Sequence, residues 1–300
     1  MNDSTDSTGS TDPTGSTDLK VAIVGAGVMG SGIATLVLGH AIPVVLVDLD
    51  EATLDEARTR IGRQLRHAQL VSALPAAADP GELTTTVRLD DVSDATHVIE
   101  AITESPEAKA EVLAEISALI RPGTPVITNT SGVPIRELAD GTGRPEEILG
   151  THFMNPPYMI GMVEVSRGPR TGDAAVESVR TLLTSLDRRP VLVRDAPGFV
   201  TSRLLHPMIN AAARIVGEGT ASVEAVDELM QGCLGHPTGP LRTADLIGLD
   251  NLADSLDVLY RRTGDESCKP CELLLTKVRD GDLGRKTGRG FYDYEKVMSS

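Results

Sequence analysis

Three hundred residues, 40% hydrophobic and 24% charged, have the composition of an ordinary globular protein and provide enough chain for two domains with separate cores. A formal net charge of −15 argues against nucleic acid or an anionic membrane as partner, so an anionic ligand has to be held by local donors. No apolar run approaches the ~18–20 residues that span a bilayer, and no basic segment followed by an apolar core opens the chain, so the cytoplasm is the expected location.

Residues 1–18 are a repetitive Ser/Thr/Asp/Gly stretch that buries too little to offset its ordering entropy, and a disordered tail is expected there. From Leu19 the pattern changes. Short apolar runs at 19–24, 44–47, 83–87, 97–101, 125–128, 148–153, 162–165 and 190–193 read as strands. Helical patterns fill most gaps, notably up to Leu38 and over 52–70, 106–120 and 173–186. This alternation predicts an α/β domain over 19–195 with a parallel sheet covered on both faces. Beyond Asp195 the strands stop. Helical patterns at 197–218, 222–230, 244–260 and 272–280 predict an all-helical second domain over 196–300, with Asp195-Ala196-Pro197-Gly198 as the linker. Cys268 and Cys271 spell a C-x-x-C, but with Cys233 alone elsewhere it reads as a chance pairing before a helix, and no metal is expected. Aromatic residues are 2% of the chain with no Trp, too few for a base-stacking platform.

Gly25-Ala26-Gly27-Val28-Met29-Gly30 fits G-x-G-x-x-G, and here it follows a strand and opens a helix. Gly25 serves the tight turn, Gly27 the approach of a pyrophosphate, and Gly30 the packing of helix on strand. The backbone N–H groups around Val28 and Met29 face the phosphates. Asp48, at the end of the next strand, accepts from ribose hydroxyls and repels a 2′-phosphate; Leu49, Asp50 and Glu51 follow it, with no arginine. The pattern therefore predicts a Rossmann-type domain binding NAD rather than NADP, with FAD the larger rival.

Runs 148–153 and 162–165 flank a turn-rich segment, so a hairpin would set His152 nearly opposite Glu164. A carboxylate beside an imidazole fixes its tautomer and favours its protonated form, which makes a general base for oxidising a secondary alcohol. Thr128-Asn129-Thr130-Ser131 follows a buried strand at the ligand-binding edge, where its hydroxyls either hold a substrate oxygen or cap the next helix.

From Leu19 to about Tyr294 the chain resembles the 3-hydroxyacyl-CoA dehydrogenases. The resemblance is carried by the Gly25–Gly30 fingerprint, Val98-Ile99-Glu100-Ala101, Asn129-Thr130-Ser131, His152-Phe153-Met154-Asn155-Pro156 and Met162-Val163-Glu164-Val165. It continues through Asp195-Ala196-Pro197-Gly198-Phe199 and the stretches 237–240, 245–250 and 284–292. It implies His152 as general base, Glu164 as its orienting partner, and Ser131 on the reacting oxygen. It also implies Glu104, Lys109 and Asn129 near the cofactor, and a homodimer closed by the helical domain.

Two positions depart from the family. Ser202 stands where an asparagine helps hold the thioester carbonyl, and Gly132 replaces the second serine after Ser131. The turn holding Asn155 resembles that of relatives with unusual small substrates, among them enzymes acting on hydroxyacyl groups of an acyl carrier protein in polyketide precursor supply. Arg60, Arg63 and Arg66 recur at a spacing of three and either grip phosphates of CoA or phosphopantetheine or form a solvated face. The expected substrate is thus an acyl thioester, on CoA or a carrier protein. A free polar hydroxy acid and a non-catalytic descendant of the fold are the competing readings.

Overall fold

A computed structural model describes residues 19–75 and 79–294; the tail expected over 1–18 lies outside the described residues. The first unit is built from β1 (Val21–Val24), α1 (Val28–Gly39), β2 (Val44–Val47), α2 (Glu51–Leu70), β3 (Leu83–Thr86), β4 (His97–Glu100), α3 (Pro106–Leu119), β5 (Val126–Thr128), α4 (Ile135–Ala139), β6 (Ile148–His152), β7 (Met162–Arg167), α5 (Asp173–Ser185) and β8 (Arg189–Arg194). They form one eight-stranded sheet in the order β3-β2-β1-β4-β5-β6-β7-β8. Every neighbouring pair is parallel except β6–β7, the antiparallel hairpin.

Strands β1, β2 and β4 are buried along their whole length, as a parallel sheet with both faces covered requires. Alternation divides them between two cores. Val21 and Ile23 pack with Ile33, Leu36, Leu54 and Val179 on one face, and Ala22 and Val24 with Leu113, Ile116 and Leu138 on the other. The strand order reverses between β1 and β4, which opens a crevice beyond their carboxyl ends.

The second unit is α6 (Thr201–Gly217), α7 (Val223–Leu234), α8 (Pro240–Ile247), α9 (Leu249–Thr263) and α10 (Glu272–Arg279), closed on Ile209, Leu241, Leu252, Leu256 and Leu274. Cys268 and Cys271 are buried in this core as free thiols. Two helix readings need correction. The helix expected over 244–260 is two helices, parted at Gly248, whose φ of 96° a helix cannot contain. The helix expected from 197 begins at Thr201, because Gly198 (φ 69°) and Phe199 (φ 48°) first turn the chain through left-handed conformations. No helix among the described residues is long and apolar enough to cross a membrane.

Candidate active site

The turn between β1 and α1 is shaped by its glycines. Gly25 has φ 106°, and a Cβ there would lie 2.6 Å from the Ala101 carbonyl oxygen. A Cβ on Gly30 would fall 1.8 Å from the Gly25 oxygen, so helix and turn touch through backbone alone. A Cβ on Gly27 would meet nothing within 4 Å. Gly27 is also the N-cap of α1 and offers no side-chain cap, which leaves the first-turn N–H groups, including those of Val28 and Met29, facing the open side. Asp48 Oδ2 accepts the Ala26 N–H at 2.7 Å and Oδ1 the Leu49 N–H at 2.8 Å, fixing the carboxylate beside the turn. These residues fit a dinucleotide: an open anion cradle with a ribose-accepting carboxylate next to it.

Arg60 belongs to this turn. Its Nη1 lies 3.3 Å from the Ala26 carbonyl and 3.1 Å from Ser31 Oγ, while Arg63 and Arg66 are exposed. Of the three arginines expected either to grip phosphates or to form a solvated face, Arg60 is engaged at this turn, and Arg63 and Arg66 lie exposed. The reason is local: α1 packs against α2, which brings Arg60 within reach of the Ala26 carbonyl that also accepts the Ser31 hydroxyl.

The β6–β7 register places His152 directly opposite Glu164. His152 Nδ1 is 3.2 Å from Glu164 Oε2 and 3.1 Å from Thr201 Oγ1, and the Thr201 hydroxyl donates to Glu164 Oε2 at 2.7 Å. Glu164 Oε1 accepts the N–H groups of Val200 at 2.7 Å and Thr201 at 3.3 Å, so it also caps the start of α6. Burial alone would raise the Glu164 pKa. Hydrogen bonds from His152, Thr201 and Val200 outweigh it and hold the carboxyl below the ordinary range. The Phe199 ring packs 6.2 Å from the imidazole.

Around this pair, Asn129 Oδ1 accepts the Phe153 N–H at 3.1 Å and ties the end of β5 to the end of β6. Glu104 Oε1 accepts the Thr130 hydroxyl at 2.5 Å and the N–H groups of Ser131 and Gly132 at 2.8 and 3.2 Å, which fixes the Ser131 loop. Lys109 is fully enclosed, with Nζ 2.8 Å from Glu100 and 3.3 Å from Glu104. It braces Glu104 from behind and has no exposed surface of its own. Asn155 is exposed in the loop after β6, and Ser202 is buried on α6. Sequence reasoning missed Thr201 by one residue. The available signal was a hydroxyl at the first position of the helix that follows the linker.

Residues 20–196 match the NAD-binding domain of 3-hydroxyacyl-CoA dehydrogenase and residues 198–294 its C-terminal domain. A probable 3-hydroxybutyryl-CoA dehydrogenase of Deinococcus radiodurans is 37% identical over 92% of this chain and all of its own. The crystal structure of M. tuberculosis FadB2 superposes with a TM-score of 0.86 at 37% identity, covering 91% of this chain and 98% of that one. The (S)-3-hydroxybutyryl-CoA dehydrogenase PaaH1 of Ralstonia eutropha gives 0.82 at 37% identity, covering 92% and 98%. The chain belongs to the 3-hydroxyacyl-CoA dehydrogenase family of NAD-dependent oxidoreductases.

Proposed function

We propose that the chain interconverts a 3-hydroxyacyl thioester and its 3-oxoacyl form, with His152 as the general base. The observation that carries this reading is the His152–Glu164–Thr201 cluster at the end of the β6–β7 hairpin. With Nδ1 facing two oxygens, the proton sits on Nδ1 and Nε2 presents a lone pair. Nε2 takes the proton of the substrate 3-hydroxyl while the hydrogen on C3 leaves with its electron pair. Bound NAD⁺ supplies the acceptor for that hydride. The Glu164 carboxylate offsets the charge that forms on the imidazole, and the Ser131 hydroxyl hydrogen-bonds the reacting oxygen. The cofactor is held by the α1 N-terminus and Asp48. Glu104 and Asn129 hold the loops that flank the nicotinamide end.

CoA is the carrier that the relatives' names favour. Exposed Arg63 and Arg66 on an acidic molecule support an acyl carrier protein as the second reading. Exposed Leu204, Leu229, Leu234 and Leu246 on the helical unit support a homodimer, and we place the protein in the cytoplasm. The test is NADH formation from 3-hydroxybutyryl-CoA and NADH oxidation with acetoacetyl-CoA. His152→Ala is expected to lower kcat by roughly 10²–10⁴ while the Kd for NADH stays unchanged. Undiminished turnover by that variant ends the assignment of the base.

A further inference from the structure

Arg188, at the corner between α5 and β8, is buried, with 7% of its surface exposed. Among the described residues no carboxylate forms an ion pair with it; its hydrogen-bond partners are main-chain carbonyls. Nε donates to the Pro157 oxygen at 3.2 Å, Nη2 to the Tyr158 oxygen at 2.9 Å and Nη1 to the Asp187 oxygen at 3.0 Å. Filling this corner would need only an aliphatic side chain, without the cost of desolvating a cation. What the guanidinium adds is direction, because its planar fork grips two successive carbonyls and so fixes the peptide between them.

That peptide belongs to the turn that leaves the catalytic strand. Pro157 and Tyr158 are both buried against the cofactor half of the sheet unit. A Cβ on Gly32 of α1 would fall 2.8 Å from Pro157 Cδ, and the Tyr158 ring stands edge-on to His67 of α2 with centroids 6.1 Å apart. The turn is thus clamped between Arg188 on one side and α1 and α2 on the other. Between His152 and this clamp lies Asn155, exposed between the half-buried Met154 and Pro156. Three residues of chain reach at most about 11 Å, so Asn155 stays close to His152 at the carboxyl edge of the sheet. Two residues further on, Pro157 touches the helix whose first turn is the anion cradle.

We infer that Arg188 is a positioning residue for the reaction: by holding Pro157 and Tyr158 it sets Asn155 between the general base and the cofactor helix, where Asn155 keeps substrate and nicotinamide in register. This inference rests on the thioester dehydrogenase reading above.

The test is NADH oxidation with acetoacetyl-CoA, with rates expressed per bound NADH so that an unfolded fraction does not count. Arg188→Met should lower kcat roughly 10–100-fold, the scale of a small misplacement of reacting groups, while the Kd for NADH changes less than about twofold. Asn155→Ala should cost a similar factor. Because Arg188 acts through Asn155, the variant carrying both changes should lose little more than either alone. Arg188→Lys keeps the charge without the fork, so it should hold the thermal midpoint and recover only part of kcat. Where Arg188→Met does not fold, the same cycle run with Arg188→Lys decides the matter. Losses that multiply in the double variant, or undiminished kcat in the Arg188 variants, make Arg188 a strut of the fold; either overturns the inference and leaves the dehydrogenase reading standing. An unmodified protein that neither reduces acetoacetyl-CoA nor oxidises 3-hydroxybutyryl-CoA sinks both.

Discussion

Thr201 Oγ1 has one proton and gives it to Glu164, so what it turns toward His152 Nδ1 is a lone pair. Two acceptors therefore converge on Nδ1, and the tautomer with Nε2 free is set twice over. Thr201→Val removes one of them and should lower kcat roughly 3–10-fold, with a displaced acidic limb in the pH–rate profile, while Thr201→Ser restores both. Glu164→Gln should cost roughly 10²-fold or more, because an amide can present a donor to Nδ1 and invert the tautomer. Equal kcat values and pH profiles for Thr201→Val and the unmodified protein would reduce Thr201 to a helix cap. Asp48 is the other residue with a single chemical task. Its oxygens are held by Ala26 and Leu49 at the place a ribose would occupy, and a 2′-phosphate there would meet a like charge. NAD should bind at least roughly tenfold more tightly than NADP, and Asp48→Ala should narrow the gap. Isothermal titration of both cofactors decides it, and equal affinities would remove Asp48 from the site.

The β1–α1 element separates two uses of glycine that sequence alone merges. Gly27→Ala places its methyl in open space, so the thermal midpoint should hold while the Kd for NADH rises roughly tenfold or more by crowding the phosphates. Gly30→Ala drives a methyl into the Gly25 carbonyl and should lower the midpoint even without cofactor. A Gly27→Ala protein that binds NADH normally would move the cradle elsewhere. Elements of this kind were legible because their signals are local. Buried strands run continuously apolar, the fingerprint sits where a strand meets a helix, and the turn-rich segment before Met162 sets the hairpin register that opposes His152 to Glu164. What escaped depends on backbone turns that side-chain patterns do not record. Apolar periodicity passes smoothly through Gly248, although its φ of 96° ends one helix and starts another. The left-handed pair Gly198–Phe199 swings Thr201, rather than Ser202, onto the dyad. Arg60 shares the spacing of Arg63 and Arg66 and is set apart only by the packing of α1 on α2.

The sheet unit and the helical unit are joined by groups that titrate, and this ties the stability of the whole molecule to pH. Glu164 of β7 caps α6, and Glu137 of α4 takes a bidentate pair from Arg262 of α9 at 2.5 and 2.8 Å. The Arg262 hydrogen bond pulls the Glu137 pKa down against burial, and the Glu164 carboxyl is also held low. For both, the folded pKa lies below the unfolded one, so their contribution is present above the ordinary carboxylate range and lost as pH falls through the lowered folded values. The buried histidines act earlier. His206 is held near 4 against an ordinary 6.5, and His97 is lowered in the same direction by its burial. Between those limits the unfolded chain binds a proton that the folded chain refuses, so stability must fall as pH drops from 6.5 toward 4. For His206 alone the gap is worth about 3 kcal/mol, a large part of a typical stability margin. The thermal midpoint should therefore begin to decline at a higher pH than that at which Glu137 and Glu164 protonate. His206→Leu should flatten much of the slope between pH 6.5 and 4.5, leave the share due to His97, and keep the steeper carboxylate-driven loss at lower pH. Thermal unfolding of the unmodified protein and this variant across the range tests it, and parallel slopes would show that His206 takes up its proton in the folded state after all.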